Sequence, residues 1–275
     1  MKLYDPETLT SFLKRFGIAA SKGLGQHFLC SQSAVESIAS AIAGCLGVCE
    51  IGPGPGVLTG PISEQSQQMI ALELDQQMIE ALKTSAPTVD VRRVDALKVD
   101  LLAVLRELPE PRGIVSNMPY YITGPLLNKI TEARSELSVA VLMMQKEVAQ
   151  RILAKPGNGD RGSLSVFLQS QFDITWVASV PARDFLPPPK VDSTVLKFVP
   201  KPLEGDEAFQ TQFFRLIRIS FAQPRKTLAN NLMAGYQRSR DEMADLIDQI
   251  GLEEKVRPHD LTQDDWIRLT KALTS

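Results

Sequence analysis

The segment of the chain best suited to chemistry consists of Asn117, Met118, Pro119 and Tyr120. An exocyclic purine amine is a weak nucleophile, because its lone pair is delocalised into the ring. Two carbonyl oxygens, from the Asn117 side chain and the Met118 backbone, would accept its two hydrogens and turn the lone pair toward an electrophile. Pro119 fixes the turn and keeps residue 118 extended, and Tyr120 offers a flat face on which a base can stack. The tetrad predicts group transfer to a purine amine, achieved by positioning and charge stabilisation.

A glycine-rich turn lies upstream, at residues 50–56, between an apolar run and a predicted helix. Glycine tolerates positive φ and lets a ligand approach the backbone, so Gly52, Gly54 and Gly56 predict a turn around a ligand. Val57 stands where the dinucleotide fingerprint has its third glycine. No Gly-Lys-Ser/Thr follows, which excludes a Walker loop. A plain strand-to-helix turn is the alternative interpretation.

Two acidic residues end the next two predicted strands. Glu73 lies about 20 residues past the glycine turn, where a carboxylate can accept hydrogen bonds from both ribose hydroxyls. Asp95 ends the third strand, where it can accept from the amino group of an adenine. Either residue alone is also typical of a solvated strand end. Together with the glycine turn, they predict an adenosine-containing ligand without a pyrophosphate requirement.

The elements that position these residues alternate along the chain between apolar runs and amphipathic stretches. Helices are predicted at residues 76–84 and 124–136. Strands are predicted at residues 48–51, 69–74, 89–94, 114–116, 139–144, 174–180 and 194–199. This alternation predicts an α/β fold: a mostly parallel sheet with helices on both faces.

The pattern changes after Pro200. Residues 201–206 resemble a linker. Beyond them, a periodicity of about 3.6 residues in the sequence predicts helices at residues 208–221, 226–234, 240–250 and 262–273. We therefore expect an α/β domain over residues 1–200 and a small all-helical domain over residues 201–275.

The composition indicates an ordinary globular protein. Of the 275 residues, 44% are hydrophobic and 23% charged, and the longest apolar runs are too short to span a bilayer. Residues 1–16 lack a secretory signal core, so a cytoplasmic location without membrane contact is expected. The cysteines, Cys30, Cys45 and Cys49, are expected to be reduced thiols, and no metal site is predicted.

The formal net charge of −2 argues weakly against nucleic-acid binding, but a segregated basic face would suffice. Clustered basic residues after Pro200 predict such an RNA-binding face: Arg215, Arg218, Arg225 and Lys226.

The chain resembles the KsgA-type ribosomal RNA adenine dimethyltransferases and their relatives, the erythromycin-resistance (Erm) methylases. The matching pieces follow in one order along nearly the whole chain: residues 25–29, 50–56, 73–75, 95–96, 117–120, 145–148, 161–165, 185–193, 225–228 and 230–232. The resemblance implies a Rossmann-like class I methyltransferase sheet and S-adenosyl-L-methionine as the cofactor.

The resemblance also implies roles for individual residues. Those placed at the cofactor are Gln26, His27, Phe28, Gly52, Gly54, Gly56, Glu73, Leu74, Asp95, Ala96 and Asn117. Asn117 and Tyr120 would handle the target adenine as catalytic residues, and Phe185 would stack on its other face. Without the resemblance, Phe185 reads as a packed aromatic. The chain departs from the family at His27, usually Asn, and at Pro224, usually a basic residue.

The implied function is dimethylation of the N6 amine of two adjacent adenosines in the 3′-terminal hairpin loop of small-subunit rRNA. The substrate would be a pre-assembled 30S-type particle, and the enzyme a monomer active in small-subunit biogenesis. An Erm-type methylase of large-subunit RNA is the alternative, which residues 185–193 and 225–232 disfavour. The intact tetrad argues against an inactive assembly factor, and the short helical domain against a DNA adenine methylase.

Overall fold

The structure, a computed structural model, describes residues 1–19 and 26–274. Within these residues the strands are β1 (Phe28–Leu29), β2 (Gly47–Ile51), β3 (Gln68–Glu73), β4 (Asp90–Arg93), β5 (Arg112–Asn117), β6 (Val139–Gln145), β7 (Phe172–Val180), β8 (Phe185–Leu186) and β9 (Ser193–Pro200). Each strand expected from the sequence is present, with its ends displaced by two residues or fewer. The predicted α/β fold class is therefore confirmed.

The main sheet has the strand order β4-β3-β2-β5-β6-β9-β7. Strands β4, β3, β2, β5 and β6 pair in parallel, and β9 pairs antiparallel with β6. Strand β2 is buried at every position, and Glu50 is its one charged residue. The chain leaves β2 toward β3 and later returns to β5 on the other side. The carboxyl ends of β2 and β5 therefore border the crevice in which such sheets bind ligands.

The chain divides into two compact units, Met1–Ala149 with Asp173–Pro200, and Gln150–Phe172 with Lys201–Ser275. The helices are α1 (Pro6–Arg15), α2 (Gln32–Ile42), α3 (Thr59–Ser63), α4 (Gln76–Ser85), α5 (Leu101–Arg106), α6 (Thr123–Glu132), α7 (Lys146–Leu153), α8 (Ser163–Gln169), α9 (Glu207–Ser220), α10 (Leu228–Tyr236), α11 (Arg240–Gln249) and α12 (Gln263–Thr274).

The second unit is helical and has its own core. Trp266 of α12 is fully buried, and its ring stacks on Phe221 with centroids 5.9 Å apart. Val166 of α8 belongs to the same apolar cluster. This is why residues 150–172, which the sequence analysis placed in the α/β domain, group with the helices after Pro200. A seven-residue helix does not reveal from its sequence which core it joins.

The first residues of α9 and α10 are determined by capping side chains, which the periodicity of the sequence does not reveal. Asp206 accepts a hydrogen bond from the Phe209 N–H and begins α9. Thr227 accepts from the Asn230 N–H, so α10 begins at Leu228 rather than at residue 226 as expected. Such caps satisfy backbone donors that have no partner within the helix.

A small second sheet was not expected from the sequence. Phe28 and Leu29 of β1 pair antiparallel with Leu186 and Phe185 of β8. Two-residue strands carry no readable periodicity. Their pairing nevertheless fixes the segment before α2, which lines the site described below.

No helix within residues 1–19 and 26–274 is long and apolar enough to span a membrane. The same residues contain no group of three or more His, Cys, Asp or Glu side chains able to hold a metal ion.

Candidate active site

A cavity of about 370 Å³ lies at the carboxyl ends of β2, β3, β4 and β5. The glycine turn, two strand ends, the tetrad and the segment leading into β1 all contribute to its wall. The site residues expected from the sequence that line it are Gln26, His27, Phe28, Gly52, Gly54, Glu73, Leu74, Asp95, Ala96, Asn117 and Tyr120. The topology thus brings together residues that are up to 94 positions apart in the chain (120 minus 26).

Two of the three glycines in the turn, Gly54 and Gly56, face different neighbours. Gly54 has a φ of 56°, and a Cβ there would lie 3.5 Å from the Phe28 ring. Gly56 has a φ of 97°, and a Cβ there would lie 2.6 Å from Ser85 Oγ of α4. Gly56 is not part of the cavity lining, which differs from the expectation that it wraps the ligand. Its absent side chain instead lets the turn pack against α4.

Glu73 joins the end of β3 to the glycine turn. Its Oε2 accepts from the Gly54 N–H at 3.1 Å, and its Oε1 accepts from the N–H groups of Leu74 and Asp75 at 2.8 and 2.9 Å. Burial raises the pKa of this carboxyl, and the three backbone hydrogen bonds oppose that rise. Glu73 therefore shapes the turn, and its Oε2, which accepts only the Gly54 bond, retains a lone pair with which to accept from a ligand.

We expect Glu73→Ala to weaken S-adenosylmethionine binding by about 1.5–3 kcal/mol, the range for hydrogen bonds to charged groups. Loss of the bond to Gly54 should also lower the melting temperature. Calorimetric titration measures the affinity, with Glu80→Ala on the exposed face of α4 as the control. Unchanged affinity in a folded Glu73→Ala protein would remove this residue from the site.

The Asp and Glu side chains that line the cavity give it an acidic character. Glu50, Glu73 and Asp95 line it, whereas no lysine or arginine of the described chain does. Burial raises the pKa of Glu50 to about 8, and a cation beside it would favour the ionised form. Asp95 Oδ1 accepts from the Leu97 N–H at 3.0 Å. Such a lining suits a ligand with hydroxyl, amine and cationic groups and opposes a polyphosphate.

Asn117 is held at the end of β5 with a defined amide orientation. Its Nδ2 donates to the His27 carbonyl at 3.2 Å. A carbonyl can only accept, so this bond fixes which end of the amide is the nitrogen. The Oδ1 oxygen is then the group that remains to accept from a ligand. Met118 N–H donates to the Met143 carbonyl at 3.0 Å, which anchors the tetrad to β6.

Tyr120 and His27 form an aromatic pair at the cavity. Their ring centroids are 5.9 Å apart, with planes inclined by 26°. The Tyr120 hydroxyl bonds Ser193 Oγ at 2.8 Å, and His27 Nδ1 contacts the Pro187 carbonyl at 2.8 Å. The contact with Asn117 uses only the backbone of residue 27. This explains why His can replace the family's Asn there without losing that contact.

Phe185 is not placed at the cavity. It is 3% exposed, belongs to the main apolar core and pairs through its backbone with Leu29. The structure places Phe185 among packed apolar residues, and its stacking on a target base stays a prediction.

Several residues at the site were missed by sequence reasoning, and four of them are polar, aromatic or fix a site residue. Glu50 and Tyr121 line the cavity, and Tyr121 is 59% exposed. Pro187 and Ser193 do not line the cavity, but Pro187 holds the His27 ring and Ser193 holds the Tyr120 hydroxyl. Glu50 stands at a strand end before the glycine turn, a signal that could have identified it. The partners Pro187 and Ser193 could be found only from the fold.

The four basic residues expected to bind RNA belong to the second unit. Arg215 and Arg218 lie on α9, Arg225 and Lys226 lie in the connection to α10, and all four are exposed. Arg215 also lies over the Tyr236 ring, 5.2 Å from its centroid.

Comparison with known proteins gives consistent results. Residues 18–275 match the family model described as ribosomal RNA adenine dimethylase. Two relatives named ribosomal RNA small subunit methyltransferase A, from Bacillus cereus (strain B4264) and Bacillus anthracis (strain CDC 684), are 35% identical over 98% of this chain and 96% of theirs.

Two solved structures share the fold. A dimethyladenosine transferase from Plasmodium falciparum has a TM-score of 0.73 and 27% identity, covering 88% of this chain and 96% of that one. The 23S rRNA methyltransferase ErmE has a TM-score of 0.68 and 23% identity, covering 90% of this chain and all of that one. The chain belongs to the ribosomal RNA adenine dimethylase family and is an S-adenosylmethionine-dependent rRNA methyltransferase.

Proposed function

We propose that this enzyme dimethylates the N6 amines of two adjacent adenosines in the 3′-terminal hairpin loop of small-subunit rRNA. The observation that carries the proposal is the fixed amide of Asn117 beside Tyr120, at the rim of a carboxylate-lined cavity. This arrangement supports the proposal because it would place a cofactor and a purine amine next to each other in one cavity.

The lining fits S-adenosylmethionine in chemical type. Its acidic residues match a ligand with ribose hydroxyls, an adenine amine and positive charge, and the cofactor supplies an electrophilic methyl group when bound. Glu73 would accept from the ribose hydroxyls and Asp95 from the adenine amine. Leu74 is 52% exposed at the cavity and would cover an apolar ligand surface. Gln26 Nε2 donates to Asp75 Oδ2 at 3.2 Å, which holds the residues before β1 beside the end of β3.

The chain's own groups handle the target amine. The Asn117 Oδ1 and the Met118 carbonyl would accept its two hydrogens, which directs the lone pair toward the methyl donor. Tyr120 would stack on the base, and its bond to Ser193 limits rotation of the ring. The product proton can leave to solvent after transfer, so no strongly basic side chain is required.

Small-subunit rRNA is favoured over large-subunit rRNA by the relatives. Those at 35% identity are named for the small subunit. The ErmE structure, at 23% identity, supports the common fold and nothing about the substrate. We further propose that the enzyme acts as a monomer, in the cytoplasm, on a pre-assembled small-subunit particle.

The test uses labelled S-adenosylmethionine and small subunits from cells that lack the modification. We expect two adjacent N6,N6-dimethyladenosines, mapped by mass spectrometry of nuclease fragments. Large subunits and protein-free rRNA serve as matched substrates. Modification of the large subunit in preference to the small one would assign the Erm-type alternative.

A further inference from the structure

The connection between α9 and α10, residues 222–227, is named here the basic loop because it carries Arg225 and Lys226. Both side chains are exposed, and neither forms an ion pair within residues 1–19 and 26–274. An exposed connection of this kind would ordinarily be free to change conformation. What limits it here is a buried amide on α10.

Asn231 is 4% exposed, and its side-chain amide makes three hydrogen bonds to the basic loop. Its Oδ1 accepts from the Gln223 N–H at 2.9 Å, and its Nδ2 donates to the Gln223 and Thr227 carbonyls at 3.1 Å each. One side chain thereby holds both ends of the loop. A buried amide engaged in three hydrogen bonds is costly to remove, because the backbone groups it satisfies would lose their partners.

Two further features restrict the same loop. The Lys226 N–H donates to the Gln223 carbonyl at 3.0 Å and closes a turn around Pro224 and Arg225. Pro224 has a fixed φ and restricts the residue before it. Pro224 stands where the resembled family usually has a basic residue. The loop therefore has one positive charge fewer and a more restricted backbone.

We infer that Asn231 is a positioning residue for rRNA binding: it presets the backbone of the basic loop so that Arg225 and Lys226 meet phosphate groups without ordering the loop first. The inference rests on the proposed RNA-binding role of those two residues. Ordering side chains and loops on association reduces affinity, so a loop already ordered binds more tightly.

The experiment measures binding of the full-length enzyme to unmodified small subunits over a range of salt concentrations. We expect Asn231→Ala to weaken binding by about five- to fiftyfold, the scale expected when a short loop must be ordered on association. The rate at saturating subunit and the affinity for S-adenosylmethionine should stay unchanged. Hydrogen exchange at the Gln223 amide should accelerate, which reports release of the loop directly.

A double-mutant cycle separates positioning from a general loss of stability. In a background of Arg225→Ala and Lys226→Ala, we expect Asn231→Ala to change the affinity by less than about twofold. Losses that add in full would overturn the inference, because Asn231 would then act elsewhere. Wild-type affinity in an Asn231→Ala protein with rapid Gln223 exchange would also overturn it. Wild-type affinity of the Arg225→Ala, Lys226→Ala protein would instead show that the proposed RNA-binding role has failed.

Two variants keep the test decisive if Asn231→Ala folds poorly. Asn231→Ser retains a smaller hydrogen-bonding group at the same position and should show the same pattern with a smaller loss. Ile247→Val removes a buried methyl group of α11 from the core of the same unit without removing a hydrogen bond to the basic loop. It should lower the melting temperature and leave RNA affinity as in the wild type. An equal affinity loss in Ile247→Val and Asn231→Ser would reduce Asn231 to a stability role and overturn the inference.

Discussion

Replacing Asn117 by Ala should leave S-adenosylmethionine binding largely intact and lower the methyl-transfer rate by about 10²–10³-fold, as loss of a single positioned transition-state contact does in other enzymes. The reason lies in the amide orientation. The bond from Nδ2 to the His27 carbonyl leaves Oδ1 to accept from the target amine. Without this acceptor, the lone pair of the amine stays delocalised into the purine ring.

The measurement is the single-turnover rate at saturating subunit, with cofactor affinity determined separately by calorimetry. Asn128→Ala makes the same substitution on the exposed side of α6 and should retain full activity. If Asn117→Ala transfers methyl groups at a near wild-type rate, the amine-activation mechanism is wrong. The tetrad would then be a structural turn anchored by Met118.

Tyr120→Ala provides a contrast within the same tetrad. Extruding a base costs a few kcal/mol, and the stacking face helps to offset that cost. Loss of Tyr120 should therefore raise the subunit concentration needed for half-maximal rate more than it lowers the rate at saturation. Ser193→Ala, which frees the Tyr120 hydroxyl, should show a smaller change of the same kind.

The strands and the cofactor side of the site were predictable from the sequence because local pattern determines them. Buried parallel strands such as β6 have almost continuously apolar sequences. The position of Glu73 and Asp95 at the cavity was predictable because parallel strands place their carboxyl ends at one edge of a sheet. The confirmed fold therefore followed from periodicity and from the position of turns.

The parts that sequence reasoning missed depend on contacts between distant segments. Phe185 resembled a base-stacking residue, yet its pairing with Leu29 places it in the core. Gly56 belongs to the same turn as Gly54, but its contact with Ser85 becomes visible only once α4 is placed. The backbone carbonyl of His27 that orients Asn117 could not be inferred from the identity of residue 27 at all.

The helical unit shows the same limit at the level of domains. Its helices were expected from periodicity after Pro200, but α8 joins their core through Val166. The Lys201 N–H also donates to the Gln171 carbonyl at 3.0 Å, which ties the two segments of this unit together. No feature of residues 150–172 alone indicates that partnership.

The proposed RNA-binding face consists of four basic residues of the helical unit. Arg215 and Arg218 are three positions apart on α9 and hence on one side of the helix, and both are exposed, as are Arg225 and Lys226. None of the four forms an ion pair with a carboxylate in the described parts of the chain, so their charges are available to phosphate groups. The chain as a whole has a net charge of −2, so this local concentration of unpaired positive charge supports rRNA binding at these residues.

We expect charge reversal of all four residues to abolish measurable binding to unmodified small subunits at physiological salt. Milder replacement of the four by Gln should reduce the slope of log K against log salt by about 3–4, since each phosphate contact contributes about 0.7–0.9 to it. Lys83→Glu on α4 of the other unit should change the slope little. Because S-adenosylmethionine binding does not involve these residues, its affinity should stay constant in every variant. A salt-independent wild-type affinity would show that contacts between basic residues and phosphates do not drive binding. Full activity after the fourfold reversal would place the rRNA contact on another surface of the enzyme.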